Sequence, residues 1–485
     1  MKYPAIQNFI GGKITKVSTD KKLDVISPVD GTLLSTVPMS SSKDLDDAVS
    51  AARAAFPAWS KTPIKERVQV FFKYKTLLEK NLKELAELCS EENGKTYGES
   101  VAEIEKCIEL TEFATSLPQL VQGEILEVSR GVECRTEHVP LGVVASIVPF
   151  NFPSMVPNWT LPNAIALGNC MIMKPSEKVP LSCGRIAELL KEAGLPDGVF
   201  NIVHGDVEIV NAICDHPHIE AISFVGSTKI AKIVYQRATS NYKRCLALGG
   251  AKNHLMVLPD AKVEMTATNV VASMAGCAGQ RCMAASAMVG VGNVDAIIDK
   301  ICEEARKIVP GKNLGAVINK ASQERIEQFI GEAEKQGAKI LVDGRNAVVA
   351  GKEKGSYVGP TVIDFVTPEM SVATEEIFGP VISIMRTKTL DEAIAIENAN
   401  PYGNAAAVFT QSGAAARYVM DHASAGMIGV NVGVPVPREP FSFGGWNESK
   451  FGVGDITGKS SIEFWTKLKK STTKWNAEAG VNWMS

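Results

Sequence analysis

The stretch Gly142–Pro153, "GVVASIVPFNFP", opens on a continuous apolar, β-branched run and stops at a proline. A run of that kind suits a strand buried on both faces, as in a parallel sheet covered by helices. The chain then alternates. "LPNAIALGN" reads as helix ending at Gly168, and "CMIMKP" as a second buried strand. "SCGRIAELLKEAG" is amphipathic, with Ile186, Leu189 and Leu190 on one face, and stops at Gly194 before Pro196, a normal helix end. "GVFNIVHG", "VEIVNAICDH", "IEAISFVG" and "STKIAKIVYQRATS" continue the pattern. Strand–helix alternation means a parallel sheet with crossover helices.

Further along the chain, "CLALGG" and "NHLMVL" add two short apolar runs, and "VEMTATNVVASMAG" reads as an Ala- and Met-rich helix. A second α/β region follows in "SAMVGVG", "VDAIIDKICEEARKIV", "ASQERIEQFIGEAEKQGA", "KILVDG", "PVISIMRT" and "LDEAIAIENA". The first hundred residues read as mostly helical and charged. The tail "SIEFWTKLKKSTTKWN" alternates in places and is suited to adding a strand to a neighbour.

At 485 residues the chain exceeds one compact core, so two or three domains are expected. Its 51 basic and 54 acidic residues give a net charge of −3, with no basic footprint for nucleic acid and no dense Lys/Arg run for a membrane surface. Ten cysteines and six histidines are scattered without a CxxC pair or zinc spacing, so no metal site is expected. His216 and His218 read as turn residues. Cysteines without a disulfide framework point to a reducing, cytoplasmic setting. The N-terminus has no signal-like apolar core, and the most apolar run, broken by Pro149 and Pro153, is too short to span a bilayer.

Four stretches have residue types suited to chemistry. In "FVGSTK" a strand ends at Gly226 and a helix starts at Ser227 or Thr228. Free N–H groups and the helix dipole there suit a phosphate, although an ordinary capped turn reads the same way. In "MKPSE", Lys174 and Glu177 follow a strand, where ribose hydroxyls or plain solvent are the alternatives. In "PFNFP", Asn151 is either a buried core amide or a donor to an oxyanion. In "AGCAGQRCMAAS", Cys282 is either packing or a nucleophile beside Arg281, and Cys277 reads as packing.

Taken together, "PFNFP", "MKPSE", "FVGST", "LGG", "GQRC" and "EEIFGP" resemble the aldehyde dehydrogenase superfamily in order and spacing, over nearly the whole chain. The resemblance implies an α/β fold of two doubly wound α/β domains plus a small β bridging arm for oligomers. It places a dinucleotide-binding domain at 1–120 and 139–247, a catalytic domain at 248–440, and the arm at 121–138 and 460–485. It further implies Cys282 as nucleophile, with Asn151 and the Cys282 N–H as oxyanion hole. Phe150, Lys174, Ser176, Glu177, Gly226, Ser227, Leu248, Glu376 and Phe378 match NAD-contacting positions. An acid at Glu177 fits NAD better than NADP.

One departure bears on the reaction. Where hydrolytic members have "ELGG", this chain has "LALGG", with Ala247 at the Glu position, and a methyl group cannot activate water. With "GQRCMA" and "ALGGAKNH", this is similar to the CoA-acylating branch that acts on methylmalonate or malonate semialdehyde and releases CO2. The substrate's anion would then meet Arg281 and Lys106, the latter where arginine is more usual, with Phe152 and Phe443 lining the pocket. Arg438 in "VPVPREPFSFGGW" is either a solvated rim residue or an inward-facing cation for a larger sulfonate or phosphate. A homodimer or homotetramer is implied.

Overall fold

A computed structural model describes residues 1–474. The runs read as doubly buried strands are strands. Val143–Ile147 and Cys170–Lys174 are buried at every position and pair in parallel. They belong to an eight-stranded sheet whose order is Lys13–Thr15, Asn8–Ile10, Phe200–Ile202, Cys170–Lys174, Val143–Ile147, Ile219–Val225, Arg244–Leu248 and Lys450–Phe451. The five central strands are parallel, and both edges are antiparallel. From Val143–Ile147 the chain winds outward to one side, then returns to place Ile219–Val225 on the other. That reversal makes a topological switch point, and its crevice lies beyond the carboxyl ends of these two strands.

A second sheet of seven strands runs Lys339–Val342, Thr361–Asp364, Val381–Thr387, Ala285–Val291, Asn253–Val257, Ala405–Phe409 and Met427–Val430. Only its first pair is antiparallel. Each sheet has its own hydrophobic core, and the core of the first extends to Phe443, Ile456 and Trp465 near the C-terminal end. The molecule is thus α/β, with two doubly wound sheets.

The first hundred residues divide: from Ser42 onward they are mostly helical, whereas residues 8–38 hold four short strands, of which Lys22–Ile26 pairs with Leu33–Pro38 as a separate hairpin. These strands are three to six residues long, and only Leu33–Pro38 is mostly buried, so no long apolar run marks them. The tail strand Thr466–Lys474 pairs with Val132–Pro140 of the same chain, which pairs in turn with Ile125–Ser129. Of the segment assigned to the arm, residues 475–485 lie outside the described residues. Among the described residues no helix is long and apolar enough to cross a membrane.

Candidate active site

The helix Val263–Ala275 ends at a tight turn, Gly276–Gly279, in which Cys277 and Ala278 adopt left-handed backbone angles (φ 51° and 52°). Side chains rarely sit there, and such strain persists only where the surroundings impose it. Two contacts impose it. The Cys277 N–H donates to Glu99 Oε1 at 2.5 Å. Gly279 lies against the backbone of Gly379, so closely that a Cβ would come within 2.0 Å of the Gly379 carbonyl. The turn delivers Cys282 to the floor of a cleft of about 330 Å³.

The cleft opens at the switch point. Pro149, Phe150 and Asn151 form one wall; Val225, Gly226 and Ser227 a second; Gly249 and Gly250 a third; Ser322, Arg325, Glu376 and Phe378 close the far side. Seven residues singled out from the sequence therefore meet here: Phe150, Asn151, Gly226, Ser227, Cys282, Glu376 and Phe378. Phe150 and Phe378 pack edge-on at 5.9 Å. Ser227 is the N-cap of the helix Thr228–Ser240, so free N–H groups face the opening. Gly250 makes room for an acid, since a Cβ there would sit 2.5 Å from Glu376 Oε2. This cleft suits a dinucleotide: a glycine-lined helix N-terminus for phosphate, with a carboxylate and an aromatic edge beyond it.

Asn151 is buried, and its Nδ2 donates one hydrogen to the Gln280 carbonyl at 2.9 Å. The amide has a second hydrogen. Cys282 is half-buried, and its carbonyl accepts from Asn253 Nδ2 (2.7 Å) and Asn404 Nδ2 (2.9 Å). Burial, then the Glu376 charge, push the Cys282 thiol up to about 12, against the backbone N–H groups of Cys282 and Met283 and the Arg281 charge. Burial pushes the Glu376 carboxyl up to about 7, against the Ala251 N–H that it accepts at 3.1 Å.

The remaining cofactor-side residues lie further along. Lys174 Nζ is 3.2 Å from Glu177 Oε2; against the opposing burial, that charge lowers the Glu177 carboxyl. Ser176 accepts from the Lys178 N–H, and Leu248 ends its strand in the core. Ala247 is fully buried in the same strand, and no carboxylate stands on Arg244–Leu248.

The five substrate-side residues do not line this cleft. Arg281 Nε reaches Cys277 Sγ at 3.4 Å, and its Nη2 lies 3.7 Å from Glu99. Lys106 is bound by Glu439 (2.6 Å) and Glu109 (3.0 Å). Phe152 lies under the Lys95 ammonium, and Phe443 packs on Trp159 at 4.6 Å. Of the two readings of Arg438, the solvated one fits better: its side chain is 83% exposed and Nη1 lies 3.9 Å from Glu109.

Sequence reasoning missed Ser322, Arg325, Asn253 and Asn404. Arg325 braces the Glu376 loop by donating to the carbonyls of Ile377 (2.5 Å) and Glu376 (3.4 Å). Its signal is faint, a charge on the amphipathic helix Lys320–Lys335. Asn404 is more legible, a polar residue just before the buried run "AAAVF".

A strand-end cleft with a cysteine, an asparagine amide and a helix N-terminus has the make-up of a dinucleotide-binding enzyme site. Residues 14–471 match the aldehyde dehydrogenase family model, and the chain belongs to that family. Its relatives include a malonate-semialdehyde dehydrogenase 1 of Geobacillus thermodenitrificans (strain NG80-2), 44% identical over 479 residues, covering 97% of this chain and 99% of the relative. The crystal structure of methylmalonate-semialdehyde dehydrogenase (DddC) from Oceanimonas doudoroffii matches with a TM-score of 0.96 and 42% identity, covering 98% of this chain and 99% of that one. A structure from Sinorhizobium meliloti 1021, complexed with NAD, matches equally in shape (TM-score 0.96) at 40% identity, covering 98% and 99%.

Proposed function

We propose that this chain oxidises malonate or methylmalonate semialdehyde with NAD and transfers the acyl group from Cys282 to CoA, with loss of CO2. Cys282 gives up its proton to water, and the Sγ thiolate adds to the aldehyde carbon as the carbonyl π electrons move to oxygen. The free hydrogen of the Asn151 amide and the Cys282 N–H take up that oxyanion. NAD, when bound, supplies the acceptor for the hydride that leaves as the thioester forms. Arg281 retains donors for the substrate carboxylate, since 3.7 Å to Glu99 is too long for a hydrogen bond. The CoA thiolate then attacks the thioester carbon, the C–S bond to Cys282 breaks, and the thiolate is restored. The carboxylate departs as CO2, and a proton takes its place. The dinucleotide-binding role falls to the first sheet and the nucleophile's to the second.

The observation that carries the acyl-transfer reading is Ala247. The expected water-activating carboxylate is replaced by a methyl group sealed in the core, so the thioester waits for a thiol. The relatives' names support the substrate, and the NAD complex of the Sinorhizobium structure supports the cofactor. Purified protein given malonate semialdehyde and NAD should release one NADH per Cys282 and stall. Adding CoA should restore turnover and yield acetyl-CoA. Equal steady-state rates with and without CoA would overturn the acyl-transfer step.

A further inference from the structure

A fully buried ion pair lies behind the oxyanion amide, and the reaction above does not use it. Lys95 and Glu103 have no exposed side-chain surface, and Lys95 Nζ donates to Glu103 Oε2 at 2.5 Å. The second acceptor of Lys95 is the backbone carbonyl of Asn151, at 2.8 Å, and its ammonium lies over the Phe152 ring at 4.1 Å. Glu103 Oε1 accepts from the N–H groups of Ser154 (2.8 Å) and Met155 (3.0 Å). Asn93 Nδ2 donates to the Phe150 carbonyl at 2.8 Å. The loop from Phe150 to Met155 is therefore gripped at four backbone atoms by side chains of the neighbouring segment, two of them charged.

Burying two charges is a poor route to stability, because desolvation offsets most of their attraction and an apolar pair of equal volume often serves better. A charged pair does better at fixing a geometry, since its hydrogen bonds are shorter, stronger and directional. We infer that Lys95 is a positioning residue: with Glu103 behind it, it sets the Asn151 peptide so that the free amide hydrogen meets the oxyanion. This rests on the reading of Asn151 as oxyanion donor.

The test follows acylation of Cys282 by p-nitrophenyl acetate, which needs neither NAD nor CoA, from the burst of p-nitrophenolate. Asn151→Ala should slow the burst on the order of 100-fold. Lys95→Met should slow it about tenfold, and Lys95→Arg should recover part of the loss. The deciding variant is the double one. In the Asn151→Ala background Lys95→Met should cause no further loss, because the group it positions is already gone. If the two losses multiply, or if Lys95→Met leaves the burst unchanged, the inference is overturned. An Asn151→Ala burst at the parent rate would instead sink the oxyanion reading itself. Should Lys95→Met leave Glu103 unpaired and unfold the chain, Lys95→Met/Glu103→Gln takes its place. If that variant also fails to fold, the pair is structural and the inference falls.

Discussion

Cys282 is held protonated at neutral pH by its surroundings, with burial and the Glu376 carboxylate both opposing the thiolate. Below its pKa a thiol's reactive fraction grows about tenfold per pH unit. Iodoacetamide modification of Cys282 in dinucleotide-free protein should therefore be slow at pH 7 and still climbing at pH 9, where an ordinary thiol levels off. Peptide mapping by mass spectrometry resolves it from the other nine cysteines. Glu376 sharpens the expectation. Its carboxyl ionises near pH 7, so above that its charge adds to the barrier. Glu376→Gln removes the charge and should speed labelling severalfold at pH 8. Slower labelling in that variant would mean that Glu376 takes the thiol proton, a different role from opposing the anion.

At the scale of elements, the helix Tyr97–Leu120 organises the site from behind. Its inner stripe presents Glu99 to the Cys277 turn, Glu103 to the Asn151 loop and Lys106 to Glu439, at the three- and four-residue spacing that puts side chains on one face. Thr96 caps it in a reciprocal box with Glu99, so one carboxylate both starts the helix and holds the nucleophile turn. Thr96→Ala should cost about 1 kcal/mol, read as a thermal midpoint lower by about 1 °C in a chain of this length, with kcat unchanged. A loss of kcat would show that the cap reaches the catalytic turn. Lys106, expected to bind the substrate's anion, is neutralised by Glu439. On that reading Glu439→Gln leaves the ammonium only its half-exposed partner Glu109, and KM for malonate semialdehyde should fall severalfold while that for propionaldehyde stays put. A rise for both would make the pair a latch on the loop. This helix also shows where sequence reading stops. The strands Val143–Ile147 and Cys170–Lys174 were legible because all their residues but Ser146 and Lys174 are apolar, and every position is buried. Asn151, Cys282 and Glu376 were legible because each sits in a short motif of fixed order. Lys95, inside "EENGKTYGES", reads as a solvated charge, and the fold shows otherwise by burying it between Glu103, eight residues on, and the Asn151 carbonyl, 56 residues away. Asn253 and Asn404 meet at the Cys282 carbonyl from 29 and 122 residues away, distances that no local pattern encodes.

For the whole molecule, the three-stranded sheet of Ile125–Ser129, Val132–Pro140 and Thr466–Lys474 has two unlike edges. Thr466–Lys474 forms one edge and carries Lys467, Lys469, Lys470 and Lys474, the charged pattern that keeps strands from pairing further. Ile125–Ser129 forms the other and is exposed along its whole length, with Ile125, Leu126 and Val128 at 65%, 66% and 52%. Three exposed apolar side chains on a five-residue strand whose outer edge is unpaired among the described residues are what a second copy would cover, and the one charge on it, Glu127, is a weak guard against pairing. A homo-oligomer assembled through this edge is therefore expected. The substitutions Ile125→Glu and Leu126→Glu together should lower the mass measured by light scattering, while the burst at Cys282, whose walls come from one chain, keeps its rate. If the mass does not change, the copies meet elsewhere; if the mass falls and the burst is lost with it, the assembled state supports the cleft, and the arm belongs to the catalytic apparatus as well as to the interface.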